Sequence, residues 1–307
     1  MMKIGIIGLG DIARKAYLPV LTQWPDLELV FCTRNEDILK QLVRTHRIQE
    51  AVTDYRELVA LGVDGVMIHS ATASHFEIAH FFLNQGIAVF VDKPLTDNYE
   101  QCETLYELAE EKQCPLFLGF NRRYLPLIKP YLSDASVTEG KKLLGLKWQK
   151  HRLNLPGDTR TFVFDDFIHA LDSVNLSGQV SENDLHIVTQ SHQGKLARLD
   201  VEWQLDDAIY QASMNRLNGV TTEHVTINYE NLTCHFDSLA TGKQWNQGRE
   251  QALALPDWTP MLDSKGFTAM ITHWLDVVAT GKMDASLVTR NLNSHYLAEV
   301  ICQKVKP

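Results

Sequence analysis

The sequence predicts an α/β chain, with a doubly wound parallel sheet first and an α+β part with an open, mainly antiparallel sheet after it. Three observations carry this. Apolar runs alternate with amphipathic stretches as far as Gly119, a glycine turn joins the first run to a helical pattern, and beyond Gly119 strand-like runs follow one another at turn spacing.

The elements read in order. Lys3 to Ile7 is a strand, Leu27 to Thr33 a second, and Glu36 to Thr45 a helix. Asp64 to His69 is a buried-strand pattern, His75 to Asn84 a helix, and Ile87 to Val91 another strand. Tyr99 to Lys112 is a strongly periodic helix, and Pro115 to Gly119 a further strand. Right-handed crossovers between such strands bring their carboxyl ends to one edge, where ligands bind. The character then changes. Leu143 to Lys150 reads as a strand and Phe162 to Leu176 as a helix, joined by a polar loop, Leu153 to Thr161. Strand runs follow at Leu185 to Gln190, Leu196 to Trp203, Ile209 to Met214, Val225 to Tyr229 and Leu232 to Phe236. Helices near Gly266 to Thr280 and Ser286 to Val305 close the chain. The expected domains are 1–120 and 121–307.

The glycine turn is Gly8-Leu9-Gly10-Asp11-Ile12-Ala13. It has the Gly-x-Gly-x-x-Gly/Ala form of a dinucleotide-binding βα turn: Gly8 permits the tight turn, Gly10 admits a pyrophosphate, and Ala13 allows close helix packing. The following helix points its amides and positive dipole end at the phosphates.

Bulk properties exclude several classes. The 307 residues are 45% hydrophobic and 22% charged, as in a globular enzyme. A net charge of -9 disfavours a nucleic-acid partner. No run approaches the length needed to span a bilayer, and the short first apolar run is no leader, so a cytoplasmic location is expected. Five scattered cysteines without Cys-x-x-Cys spacing argue against disulfides and a zinc site.

NAD-binding folds of this kind end the second strand in Asp or Glu, which holds the ribose hydroxyls. Here the segment is Phe31-Cys32-Thr33-Arg34-Asn35, without an acid. Thr33 offers a hydroxyl and Arg34 a planar cation for a 2′-phosphate, so NADP is expected over NAD. Arg34 as a solvated strand-end residue is the alternative.

Two constellations carry chemistry. Val89-Phe90-Val91-Asp92-Lys93-Pro94 places a lysine at the carboxyl edge of a buried strand, where it can hold negative charge on a substrate oxygen. An ordinary surface lysine fits the same spacing, and the Lys93–Pro94 bond is a candidate for the cis form. On the helix from Phe162, Asp165, His169 and Asp172 share a face at α-helical spacing, which suits a histidine proton shuttle tuned by carboxylates. A helix cap with a core histidine is the bland reading. No metal is expected, because that helix lacks a partner His/Cys set.

In this order and spacing the motifs resemble the Gfo/Idh/MocA oxidoreductases, over nearly the whole length. The resemblance rests on the glycine turn, Ser70-Ala71-Thr72-Ala73-Ser74-His75, Asp92-Lys93-Pro94, Gly119-Phe120-Asn121-Arg122-Arg123-Tyr124 and the Asp165…His169…Asp172 helix. Ile68 to Phe76 together with Val91 to Leu95 looks closest to the MviM-like branch. The resemblance implies an N-terminal Rossmann domain and a C-terminal α+β domain for substrate binding and oligomerisation, with a homo-oligomer (dimer or tetramer) formed through the C-terminal sheet. It makes Lys93, His169 and Asp165 catalytic. It places Ser70, Thr72, His75, Asp92, Lys93, Pro94, Asn121 and Arg122 with Gly8, Gly10, Asp11, Ile12, Ala13, Thr33 and Arg34 around the cofactor. Lys93, Arg122, Asp165, His169 and Asp172 would meet the substrate. The chain departs from the family in having Phe167 where many relatives have Gly, and Asp92 for Glu. Phe167 is expected to narrow the pocket or remodel the helix start.

The implied activity is hydride transfer between a nicotinamide and a hydroxyl-bearing carbon of a sugar, polyol or related molecule. Asn121, Arg122, Arg123, Lys150, His151 and Arg152 offer groups for an oxygen-rich or anionic substrate, or form a solvated surface. A non-catalytic nucleotide sensor and a glycosidase with transient redox chemistry are the other readings.

Overall fold

The structure, a computed structural model, describes residues 1–305. The chain divides into two compact units, Met1–Phe120 with Phe267–Val288, and Asn121–Gly266 with Thr289 onward.

The first unit holds a six-stranded sheet of β1 (Met2–Ile7), β2 (Leu27–Cys32), β3 (Glu50–Val52), β4 (Gly65–Ile68), β5 (Ala88–Asp92) and β6 (Leu116–Gly119). Every pairing is parallel, in the order β3-β2-β1-β4-β5-β6. The order reverses between β1 and β4, a switch point where a crevice opens at the strand ends. The central strands are apolar throughout because helices cover both faces of a parallel sheet. Phe90 stacks on Phe117 with centroids 5.6 Å apart, and Trp274 of the helix Phe267–Thr280 packs on both, at 5.8 and 5.9 Å. Trp274 is fully buried, and burying a side chain of this kind contributes roughly 1.5–3 kcal/mol. This packing draws Phe267–Val288, remote in sequence, into the first unit.

Helix ends follow local chemistry. Asn35 and Asn98 cap the helices Glu36–His46 and Tyr99–Glu111, their side chains accepting from Ile38 N and Gln101 N at 3.1 Å. The helical run after the glycine turn, residues 11–21, is π-wound over Ala13–Tyr17. Pro19 has no N–H to continue an α-ladder, which accounts for the wider turn ahead of it.

The second unit is built on an eight-stranded sheet: β7 (Leu143–His151), β8 (His186–His192), β9 (Lys195–Leu205), β10 (Ala208–Asn215), β11 (Thr222–Tyr229), β12 (Leu232–Phe236), β13 (Thr241–Asn246) and β14 (Arg249–Ala254). The order is β14-β13-β12-β11-β7-β10-β9-β8, antiparallel except for the parallel pair β7–β10. Burial alternates along β7, β11 and β12, so one face is apolar and the other polar and partly exposed. The helix Ile168–Val174, buried along its length, packs on β7 and β10.

Three strands lay outside the sequence reading: β3, β13 and β14. β3 has only three residues, too few for a period. β13 and β14 form an edge hairpin whose residues are mostly exposed, so no apolar face marks them. Their turn, Gln247-Gly248, has both residues at positive φ (51° and 81°).

Candidate functional site

The glycine turn stands at the carboxyl end of β1. Gly8 N–H donates to Cys32 O at 2.9 Å, and His69 N–H donates to Ile7 O at 2.8 Å, tying the ends of β1, β2 and β4 together. Gly8 has φ 87°, and a Cβ there would lie 2.5 Å from Ser70 N. A side chain is excluded on both counts. Gly10 differs: a Cβ there would meet nothing within 4 Å. Its bareness serves the space in front of it, not packing behind it.

That space is a cavity of about 630 Å³. Gly8, Gly10, Thr33, Arg34 and Ser70 line it, all expected cofactor residues. Asp11, Ile12, Ala13, Thr72, His75, Asp92, Lys93 and Pro94 are not among its lining residues. Ala13 is fully buried beneath the turn, and Asp11 pairs with Arg14 and Lys15 at the helix start. The cavity fits a dinucleotide by its chemistry: a bare glycine edge, a helix N-terminus and polar groups at the second strand's end.

Among the lining residues that the sequence reading missed are Asp54, Tyr55, Arg56 and Glu77. Tyr55 OH and Arg56 Nη2 donate to Glu77 Oε1 at 2.8 and 3.0 Å. Arg56 N and Nη1 donate to Asp54 Oδ1 at 3.0 and 3.3 Å. Arg56 also lies 4.4 Å over the Tyr55 ring. The first three lie just past β3, whose shortness hid them. Both carboxylates are thus engaged by Arg56, whereas exposed Arg34 makes no ion pair or side-chain hydrogen bond among the described residues.

His75 is 2% exposed, with Nδ1 2.9 Å from Pro94 O and Nε2 2.9 Å from Ser70 O. It clamps the loop after β4 to the turn after β5. The Lys93–Pro94 bond in that turn is cis. Asp92 Oδ1 accepts from Lys93 N at 2.9 Å and from Tyr17 OH at 3.2 Å. Burial raises the Asp92 carboxyl's pKa, against the opposing pull of Lys93. Tyr17 lies 3.9 Å from the His69 ring, and burial, aided by His75, drives the His69 pKa down to about 3.

In the second unit, winding changes the expected helix face. The run is π-wound over Phe162–Phe167 before Ile168–Val174, so α-helical spacing does not hold from Asp165. Asp165 is exposed, while His169 and Asp172 are 8% and 1% exposed. Phe167 is fully buried, its centroid 6.5 Å from that of Phe162, so its bulk is absorbed in the unit's core. Asp172 accepts from Arg123 Nε and Nη2 and from Ser294 Oγ. Burial opposes its ionisation, but Arg123 and Arg290 prevail and lower its pKa.

The other polar groups read from the sequence are largely committed within this unit. Arg122 donates to Glu223 from Nε and Nη2, at 3.1 and 2.8 Å, and Trp148 Nε1 joins at 2.9 Å. Asn121 Nδ2 donates to Lys265 O at 2.9 Å. Asp166 gathers Lys150, Arg152 and Arg216. Burial lowers the Lys150 pKa to about 7 despite Asp166. His151 Nδ1 accepts from Asn215 N at 2.9 Å.

Among the described residues, no helix is long and apolar enough to cross a membrane.

Comparison with known proteins agrees with this architecture. Residues 2–120 match the family described as "Oxidoreductase family, NAD-binding Rossmann fold". A Gfo/Idh/MocA family oxidoreductase from Vibrio cholerae has a crystal structure with TM-score 0.95 and 56% identity, covering 99% of this chain and 98% of that one. The dehydrogenase MviM from Clostridium difficile gives TM-score 0.88 and 28% identity, over 99% of both chains. YceM of Salmonella typhimurium, an oxidoreductase by name, is 31% identical over 90% of this chain and 89% of its own. Myo-inositol 2-dehydrogenase of Thermotoga maritima is 31% identical over 40% of this chain and 37% of its own. With a glycine-edged cavity at the switch point of a parallel sheet, an open antiparallel sheet in the second unit, and full-length likeness to these proteins, the chain belongs to the Gfo/Idh/MocA family of oxidoreductases.

Proposed function

We propose that the protein is an NAD(P)-dependent dehydrogenase acting on a hydroxyl-bearing carbon of a sugar, polyol or related small molecule, with NADP preferred over NAD. The observation that carries the cofactor reading is Arg34: it lines the cavity with no partner, while the carboxylates of Asp54 and Glu77 are held by Arg56. A guanidinium unclaimed by protein groups is suited to a 2′-phosphate. The substrate class is supported by relatives such as the myo-inositol dehydrogenase.

A bound nicotinamide would supply the two-electron carrier. Lys93, at the end of β5, is assigned to hold the substrate oxygen and its developing charge. His169 is assigned to give or take the hydroxyl proton, with Asp165 orienting it. Asp172 and Arg122, bound into ion pairs, are assigned to fix the positions of their neighbours more than to touch substrate. A homo-oligomer through the eight-stranded sheet and a cytoplasmic location complete the proposal.

The test is titration with NADPH and NADH, followed by turnover on a panel of sugars and polyols. Tighter NADPH binding and turnover lost by at least about 100-fold in Lys93→Ala, with nucleotide binding retained, are expected. Tighter NADH binding refutes the cofactor preference, and undiminished turnover in Lys93→Ala refutes the catalytic assignment.

A further inference from the structure

β11 and β12 pair antiparallel, with Thr226 opposite His235 and Val225 opposite Phe236. Side chains alternate between faces along a strand, so His224, Thr226, His235 and Asp237 share one face. The other face carries Val225, Ile227, Cys234 and Phe236, all buried. On the polar side, one ring nitrogen from each of His224 and His235 and a carboxylate oxygen of Asp237 lie within 4.8 Å of one another.

The details favour a ligand set over a chance grouping. His235 Nε2 is 3.2 Å from Asp237 Oδ1. Two donors bound at ~2.0–2.1 Å to one tetrahedral ion stand at roughly that separation. His235 Nδ1 is 3.0 Å from Thr226 Oγ1, a contact that orients the ring and, with Nδ1–H donating to the hydroxyl, leaves the Nε2 lone pair for a ligand. Metal-ligating histidines are oriented in this way through their second nitrogen. The two imidazole rings lie nearly parallel, at 10°, with centroids 6.3 Å apart. His224 Nδ1 is buried and meets no hydrogen-bond partner among the described residues. A buried polar atom without a partner is an unfavourable state that a ligand can relieve.

We propose that His224, His235 and Asp237 bind one divalent d-block cation of the zinc class. Two imidazoles with one carboxylate suit such an ion better than magnesium or calcium, which take oxygen ligands. Three protein donors leave a fourth tetrahedral position open. The site uses none of the residues assigned to hydride transfer, so it stands or falls separately from that assignment. Its ligands come from β11, from β12 and from the residue just after β12, and His224 is eleven residues from His235 with no motif spacing, which is why the sequence gives no sign of it.

The test uses the full chain, stripped of metal by chelation and titrated with Zn²⁺ and then Co²⁺. Native mass spectrometry counts ions per chain whatever the number of chains in the assembly, and the visible spectrum of the Co²⁺ form reports its ligands. One ion per chain is expected, with tetrahedral cobalt bands and no thiolate band from the cysteines. His224→Ala/His235→Ala should abolish the stoichiometric ion, and Thr226→Val should weaken binding about 10- to 100-fold. Asp237→Asn, at an exposed position, should also weaken binding and gives the answer should the double variant fail to fold. Absence of a stoichiometric ion, a thiolate-dominated cobalt spectrum, or unchanged affinity in Asp237→Asn would overturn the proposal.

Discussion

Arg123 grips Asp172 with two parallel hydrogen bonds, Nε to Oδ2 at 2.9 Å and Nη2 to Oδ1 at 2.6 Å. The two side chains are 7% and 1% exposed, and Arg290 Nη2 stands 3.7 Å from the same carboxylate. Neutralising Asp172 therefore removes the carboxylate charge that faces both guanidiniums, although Arg290 Nη2 also donates to the Asp172 backbone carbonyl. Asp172→Asn is expected to lower stability by about 3–5 kcal/mol, read from denaturant midpoints. A midpoint unchanged from wild type would show that the carboxylate carries no structural load.

Glu223 makes acid stability measurable at one residue. Burial acts to raise its pKa, but Arg122, Lys150 and the Trp148 N–H overcome this and hold it at about 2, against an ordinary 4.5. The folded value is depressed, so the folded state binds the proton less readily than the unfolded chain. The contribution is full above about pH 4.5 and is lost as pH falls toward 2. In Glu223→Gln the stability curve between pH 5 and pH 2 should be flatter than in wild type. Parallel acid limbs in the two proteins would contradict the assignment.

The two glycines of the turn should separate folding from binding. Gly8→Ala forces a Cβ to 2.5 Å from Ser70 N at a φ of 87°, so it should lower the melting temperature as well as nucleotide affinity. Gly10→Ala meets nothing within 4 Å, so its stability should stay within about 0.5 kcal/mol of wild type. Its dinucleotide affinity should nevertheless fall at least about 10-fold, since the methyl group fills the space for the pyrophosphate. Thermal melts with and without nucleotide check both, and full affinity in Gly10→Ala would place the phosphates elsewhere.

Arg34→Ala should weaken NADPH more than NADH. Loss of a charge-assisted contact to a phosphate is worth about 1.5–3 kcal/mol, and NADH has no 2′-phosphate to lose. Calorimetric titration of both nucleotides against both proteins measures the difference. Equal losses for the two would remove Arg34 from phosphate recognition.

The parts of the site legible in sequence are those set by backbone requirements. Gly8 and Gly10 announce themselves because only glycine meets the φ at one and the open edge at the other. Long central strands and periodic helices were readable for the same reason: burial on a sheet face or helix stripe imposes a period. β3 and the residues after it, Asp54 to Arg56, escaped because three residues define no period. The hairpin β13–β14 escaped because an exposed edge imposes no apolar pattern. The face shared by Asp165, His169 and Asp172 was drawn on α-helical spacing, and the π-wound turn leaves Asp165 exposed while the other two are buried.

By itself, then, the sequence determined the two-sheet plan and the dinucleotide turn, since each follows from local backbone geometry or from hydrophobic period, while the family entered as a resemblance carried by its motifs in their order. Only the tertiary structure decided which charges are spoken for. Arg56 is neutralised by Asp54 and Glu77, Arg122 by Glu223, and Arg123 by Asp172, whereas Arg34 meets no such partner. The same holds for His224, which register alone brings beside His235 and Asp237. Charge pairing depends on distance in space, and partners 49 or 101 residues apart leave no trace in spacing along the chain.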